Sequence, residues 1–278
     1  MLTVIGDLVE DIVVSTRGTA RRGTDNPAIV CRRRGGSAAN VAAAAAALTP
    51  TRFIGRVGDD DTGRRLIADL AATGVDVRAQ CDGRTGTVIV VVDSTDGERT
   101  MFPDRAAAAR LGPVDPTWLA GTSILHVPAY GLVAEPAATS ILAAIGHARR
   151  TGAAISIDVS AVTLVESFGS QRFLDLLVAI EPTLVFANAD EASACDLGSL
   201  ATRGTTVVVK DGPRPARVTT ADETFEVDAV LIDQVLDTTG AGDAFAAGFL
   251  STWMSDQDPV IACRAAHRRA ATVLRAPG

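Results

Sequence analysis

The chain has 278 residues, of which 47% are hydrophobic and 21% charged, enough for a large buried core without a disulfide or metal staple and too apolar for a disordered chain. Twenty-six basic residues against 33 acidic ones give a net charge of −7, which excludes a whole-chain basic footprint for nucleic acid. Cysteines at 31, 81, 195 and 263 form no CxxC pair, and the three histidines (His126, His147, His267) form no zinc spacing, so reduced thiols are expected.

The opening MLTVIGDLVED carries acids by position 7 and no basic leader, so it does not read as a signal peptide. Leu2–Ile5 reads as a buried first strand ending at Gly6. β-branched runs at 12–14, 28–31 and 88–92 follow, separated by polar or glycine-containing turns. The alanine-rich stretch 38–48, with Asn40 near its start and Pro50 beyond its end, predicts a helix. Its apolar run is far too short to span a membrane. A strand at 52–57 and a helix at 63–72 come next. Strands at 123–127, 153–158, 183–187 and 205–210 then alternate with helices at 136–150 and 171–179. A hairpin at 218–227 and two helices, 242–253 and 258–274, close the chain.

That alternation predicts an α/β fold with a mostly parallel sheet covered on both faces. The β-rich stretches at about 11–34 and 84–103 break the rhythm and predict a small separate β-layer. A single domain over 1–278 is expected, with a soluble, cytoplasmic protein and no nucleic-acid or membrane partner.

The only lysine is Lys210, flanked by Val209 and Asp211. A P-loop needs a lysine directly after its last glycine, so that class is excluded. GDLVED after the first strand is not a dinucleotide fingerprint either. The remaining phosphate site is DTTGAGDAF at 237–245. Gly240, Ala241 and Gly242 let backbone approach a ligand closely, and an apolar helix follows at once. Free N–H groups opening that helix would hold an anion. Asp243 beside them can take a proton from a hydroxyl that attacks the held phosphoryl group; read alone, it is a helix cap.

DTTGAGDAF resembles the C-terminal signature of the ribokinase family, also called PfkB-type carbohydrate kinases. GGSAAN at 35–40, its alanine-rich helix and IGRVGDD at 54–60 resemble the N-terminal signature. Order and spacing match over about positions 2 to 277. The resemblance implies a ribokinase-like three-layer α/β/α fold with a small β-lid. It implies an ATP- and Mg²⁺-dependent kinase that phosphorylates a primary hydroxyl of a small sugar or sugar-like molecule. A nucleoside kinase of the same family, or an inactive ligand-binding relative, is the alternative.

Carried over residue by residue, Asp243 is the general base, and Gly240, Ala241 and Gly242 are the anion hole. Asp11 accepts vicinal sugar hydroxyls, with Asp7 close to the same pocket. Gly35 and Gly36 form the hinge of the lid, Asn40 contacts the substrate, and Arg105 reaches it from the second β-rich stretch, where Arg99 and Asp104 also lie. Asn188 and Glu191, the N-x-x-E pair, organise Mg²⁺ through water. Lys210 and Gly212 meet the nucleotide, and His267 lines the adenine pocket. Proline at 213 and 215 replaces a second glycine, which alters the nucleotide loop. The short tail leaves a monovalent-cation site at Asp237 and Thr239 incomplete, so potassium activation is not expected. Relatives' lids pair between subunits, which makes a homodimer through the lid an expectation.

Overall fold

Continuous apolar runs become strands buried on both faces. The computed structural model describes residues 1–16, 18–93, 99–235 and 237–275; positions 17 and 94–98 of the two expected lid stretches lie outside these. In chain order the elements are β1 (Leu2–Ile5), β2 (Val9–Thr16), β3 (Ala28–Gly35), α1 (Ser37–Ala46), β4 (Thr51–Val57), α2 (Asp61–Ala71), β5 (Asp76–Cys81), β6 (Thr87–Asp93) and β7 (Arg99–Asp104). Then come β8 (Ile124–Pro128), α3 (Ala137–Arg150), β9 (Ala154–Asp158), α4 (Val162–Phe168), α5 (Ser170–Ile180), β10 (Leu184–Asn188), α6 (Ala189–Ala194), α7 (Gly198–Ala201) and β11 (Thr206–Lys210). The hairpin β12 (Ala216–Thr219) and β13 (Thr224–Val227) precedes α8 (Ala241–Asp256) and α9 (Pro259–Leu274).

Nine strands form one sheet in the order β13-β12-β11-β10-β9-β8-β1-β4-β5. It is parallel except at β12, which runs antiparallel to both neighbours. Side chains alternate between two cores. In β10, Leu184 and Phe186 face the layer of α1, α2, α8 and α9, while Val185 and Ala187 face the layer of α3 and α5. Two apolar faces per strand explain the unbroken runs of the sequence, and each fully buried large side chain contributes roughly 1.5–3 kcal/mol. The expected three-layer α/β/α arrangement is therefore present. Periodicity misses β5, because DVRAQC is a polar strand at the sheet edge. It also misses the short helices α4, α6 and α7.

A second sheet, β3-β2-β6-β7, stands apart from the first. β2 pairs antiparallel with β3 and parallel with β6, and β6 pairs antiparallel with β7. It springs from the turn after β1 and returns through β3 to α1. Gly36 makes that return possible. Its φ is +97°, and a Cβ there would sit 2.4 Å from the Asp7 carbonyl oxygen.

Register at the carboxyl edge of the main sheet places functional groups side by side. Pro128 and Phe186 flank Asp158 on either side, and Asn188 lies opposite Lys210. Open α/β sheets bind ligands at this edge.

His126 of β8 is fully buried. Its Nδ1 lies 2.9 Å from the Ser156 hydroxyl, and its Nε2 has no partner among the described residues. Burial pushes its pKa down to about 4 from 6.5. A neutral imidazole is thus required in the fold. The stability it supplies is complete above pH 6.5 and is lost as pH falls toward 4, by about 3 kcal/mol in all. Urea titrations at pH 7.5 and 4.5 are expected to show His126→Leu flattening that part of the wild-type slope; equal slopes in the two proteins would contradict it.

Candidate active site

The starts of α1 and α8 converge on one carboxylate. Ser37 Oγ donates to Asp243 Oδ1 at 2.7 Å, and Asn40 Nδ2 donates to Oδ2 at 3.1 Å. Arg34 Nη1 donates to Asn40 Oδ1 at 3.2 Å. That fixes the amide so that its NH₂ faces the acid. Burial pushes the Asp243 pKa up to about 6. The bonds from Ser37 and Asn40 and the charge of Lys210 restrain the rise, while Asp158 adds to it. A carboxylate near pH 6 is ionised at neutral pH yet basic enough to accept a proton.

The turn before α8 is open at its helix start. Gly240 is left-handed, φ 73° and ψ 3°, with no side chain capping the helix. The space a Cβ would occupy there is empty. Among the described residues the amides of Gly242 and Asp243 donate to nothing. The amide of Ala241, expected free, donates to the Thr238 carbonyl at 3.3 Å. The amides open to a ligand at this helix start are therefore those of Gly242 and Asp243.

Lys210 stands beneath this turn. Its Nζ donates to Asp158 Oδ2 at 2.9 Å and would lie 3.6 Å from a Cβ on Gly242. Burial opposes the ammonium charge, but Asp158, Glu191 and Asp243 raise its pKa above that of free lysine. It stays cationic. Asp158 is a residue that sequence reasoning missed, and so is Ser37.

Asn188 and Glu191 form a closed capping box at the start of α6. Asn188 Oδ1 accepts from Glu191 N at 2.8 Å, and Glu191 accepts from Asn188 N and Nδ2 at 2.8 and 2.9 Å. Glu191 is 4% exposed. Burial and the charge of Asp158 raise its pKa, with Asn188 and Lys210 pulling the other way. No group of three or more His, Cys, Asp or Glu able to hold a metal occurs among the described residues. Two carboxylates at neighbouring strand ends, one lysine and an anion turn fit Mg²⁺ that keeps most of its waters and rides on phosphate.

Across the cleft, Arg105 grips Asp7 with two hydrogen bonds of 2.6 Å. It also donates to the Tyr130 carbonyl at 2.8 Å and lies 5.6 Å from that ring's centroid. Three of its five N–H donors are used; two remain for a ligand. Gly6, Asp7, Ser37, Ala38 and Tyr130 line the hollow beside it. The Asp11 carboxylate packs directly over Gly35 and accepts no hydrogen bond among the described residues. Burial raises its pKa, and Arg33 and Arg34 pull it back.

Two other expected residues lie at the end of β11 and on the last helix. Gly212 lies in the exposed turn after β11, with φ +57°, where Arg214 closes an ion pair on Asp211. His267 is 7% exposed, with Nε2 3.1 Å from the Val227 carbonyl and its ring edge-on to Phe245. It packs between α8, α9 and β13. Arg99 meets Asp237, and Asp104 pairs with Arg84.

The profile of the pfkB family of carbohydrate kinases matches residues 1–278. A fructokinase of Klebsiella pneumoniae is 35% identical over 220 residues, covering 72% of this chain and 69% of its own. An ATP-dependent ribose-1-phosphate kinase of Halopiger xanaduensis is 34% identical over 220 residues, covering 74% and 68%. The crystal structure of an adenosine kinase from Sinorhizobium meliloti superposes with a TM-score of 0.85 at 26% identity, over 98% of this chain and 93% of that one.

Proposed function

Because the chain belongs to the pfkB family of carbohydrate kinases, we propose that it moves the γ-phosphoryl group of ATP onto a primary hydroxyl of its acceptor, with Asp243 as general base and Gly240, Ala241 and Gly242 as the anion hole. ATP-dependent phosphorylation of a sugar-like substrate comes with the family; the residue roles are our reading. The observation that carries it is Asp243, held by Ser37 and Asn40 directly beside open helix amides.

Asp243 takes the hydroxyl proton as the oxygen attacks. The amides of Gly242 and Asp243, backed by the Lys210 ammonium, hold the moving phosphoryl oxygens. Phosphoryl transfer is mostly positioning and charge stabilisation, so these groups suffice as the protein's share. Mg²⁺, when bound, would neutralise phosphate charge, and Asn188 and Glu191 would be the residues to orient its waters. On the acceptor side, Asp11 offers an unpaired carboxylate to vicinal hydroxyls, Asn40 and the two free donors of Arg105 complete the pocket, and Gly35 and Gly36 hinge the four-stranded sheet as a lid. Lys210 and Gly212 flank the nucleotide.

The lid's edge strands expose Ile29, Val30, Met101 and Phe102, a face that a second copy would cover. Both oxygens of Asp237 face guanidinium groups, which leaves a monovalent cation without need there. No described helix is long and apolar enough to cross a membrane.

An ADP-release screen over pentoses, hexoses, sugar acids and nucleosides tests the reading. A hit whose KM rises at least tenfold in Asp11→Ala, a change of roughly 1.4 kcal/mol in binding, supports both activity and clamp. A nucleoside hit would move the acceptor to the nucleoside class. No turnover on any of them, with no stabilisation by Mg·ATP, would leave a non-catalytic relative.

A further inference from the structure

Asp237, like Asn40, is touched from both the lid and the phosphoryl turn. Its Oδ1 accepts from Thr239 N at 2.7 Å and Thr239 Oγ1 at 2.6 Å. This pins the turn one residue before Gly240. The same oxygen accepts from Arg99 Nη2, and Oδ2 lies 3.7 Å from Arg33 Nη1. Arg99 opens β7 and Arg33 lies in β3, the two outer strands of the four-stranded sheet. Two strands separate them, so the sheet must curl for both edges to reach one carboxylate.

Exposure separates this cluster from ordinary surface pairs. The side chains of Arg99, Arg33 and Asp237 are 26%, 28% and 16% exposed. Partial burial limits screening, and a charge shared among four donors acts as a network. Asp104 and Glu10, which pair with Arg84 and with Arg32 and Arg65, belong to separate pairs. Besides its covalent connections, the lid reaches the main body through Arg34, which donates to Asn40 of α1, and through Glu10, which pairs with Arg65 of α2.

We infer that Arg99 and Arg33 are positioning residues: by gripping Asp237 they hold the anion turn in its working shape only while the lid lies down over the cleft. This rests on reading Gly240, Ala241 and Gly242 as the phosphoryl-holding turn. Its consequence is a coupling between acceptor and nucleotide sites. An acceptor that draws the lid down orders the turn, and a phosphate that orders the turn steadies the lid. Such coupling is reciprocal by necessity.

Amide hydrogen exchange on the unliganded full chain tests this without any substrate. In Arg99→Ala, exchange in residues 237–243 is expected to quicken by about fivefold or more, the lower bound of typical site-to-site coupling. In Asp237→Asn, the same rise is expected in β3 and β7, distant from the substitution in sequence but joined to it through Arg33 and Arg99. Arg99→Lys, which keeps the charge, should restore part of the protection. If Arg99→Ala loosens only the lid and Asp237→Asn only the turn, the latch is wrong. Should Arg99→Ala fail to fold, Arg99→Gln and Arg33→Gln provide the same comparison. With an acceptor from the screen, Arg99→Ala should lower kcat about tenfold while KM for ATP changes less than twofold, the signature of an interaction made in the transition state; equal changes in both would count against it. A chain that Mg·ATP fails to stabilise would overturn the kinase reading, while the exchange data would still decide the latch.

Discussion

Replacing Asp243 with Asn is expected to lower turnover by about 10²–10⁴, the usual worth of a positioned general base, while leaving thermal stability and Mg·ATP binding near wild type. The amide keeps the shape of the carboxylate but cannot take a proton at neutral pH. The wild-type pH profile gives a second, independent mark. Asp243 must be ionised to act, and its pKa is raised to about 6. The kcat/KM of the wild type should therefore fall about tenfold per unit below pH 6 and be flat above it on the acid side. Ser37 and Asn40 donate to the charged form, so losing either raises the pKa further. Ser37→Ala and Asn40→Ala should move the acid limb to higher pH, with most activity recovered in alkaline buffer for Ser37→Ala, while Asn40→Ala also loses its acceptor contact. An acid limb that stays in place in Ser37→Ala, or substantial turnover in Asp243→Asn, would remove Asp243 from the role.

Much of the geometry of this candidate site was legible because its signals are local. Gly240, Ala241, Gly242 and Asp243 are consecutive, and open amides at a helix start follow from small residues before an apolar run. The same holds for Gly35, Gly36 and Asn40, where a left-handed glycine turn and a helix start share six positions. The alternating layers were legible because strands buried on both faces carry no polar interruptions. What escaped depends on register. Asp158 and Lys210 are 52 residues apart and meet only because β9, β10 and β11 align. Read alone, Asp158 is one more acid at a strand end. Arg99 and Asp237 are 138 residues apart and come from different sheets and loops; no periodicity records such a pair. The free amide expected at Ala241 was given up to Thr238 by a local turn, a choice that sequence spacing does not encode. His267 shows the same dependence on register: its burial against Phe245 and the Val227 carbonyl follows from how the last helix packs, which its sequence position alone does not record.

Lys210→Met is expected to have two separable effects. Removing one pre-organised charge from the phosphoryl site should cost turnover on the order of 10²–10³, as loss of an oxyanion-type donor does. It should also destabilise the fold by about 3–5 kcal/mol, because Asp158 is left as an uncompensated charge in a largely buried place. Its side chain is 12% exposed and that of Lys210 16%. The double variant Asp158→Asn with Lys210→Met distinguishes the two. It retires both charges while keeping an acceptor for the Ser160 amide, which donates to Asp158 Oδ1 at 2.9 Å. Stability should return most of the way toward wild type, since a buried pair contributes little net once its partners leave together. Turnover should not return, because nothing then replaces the ammonium beneath Gly242. Lys210→Arg is a poor substitute on the same grounds: a planar fork does not occupy the place of a compact point charge. Recovery of turnover together with stability in the double variant would show that Lys210 serves only to neutralise Asp158, and would leave the phosphoryl group to the helix amides alone.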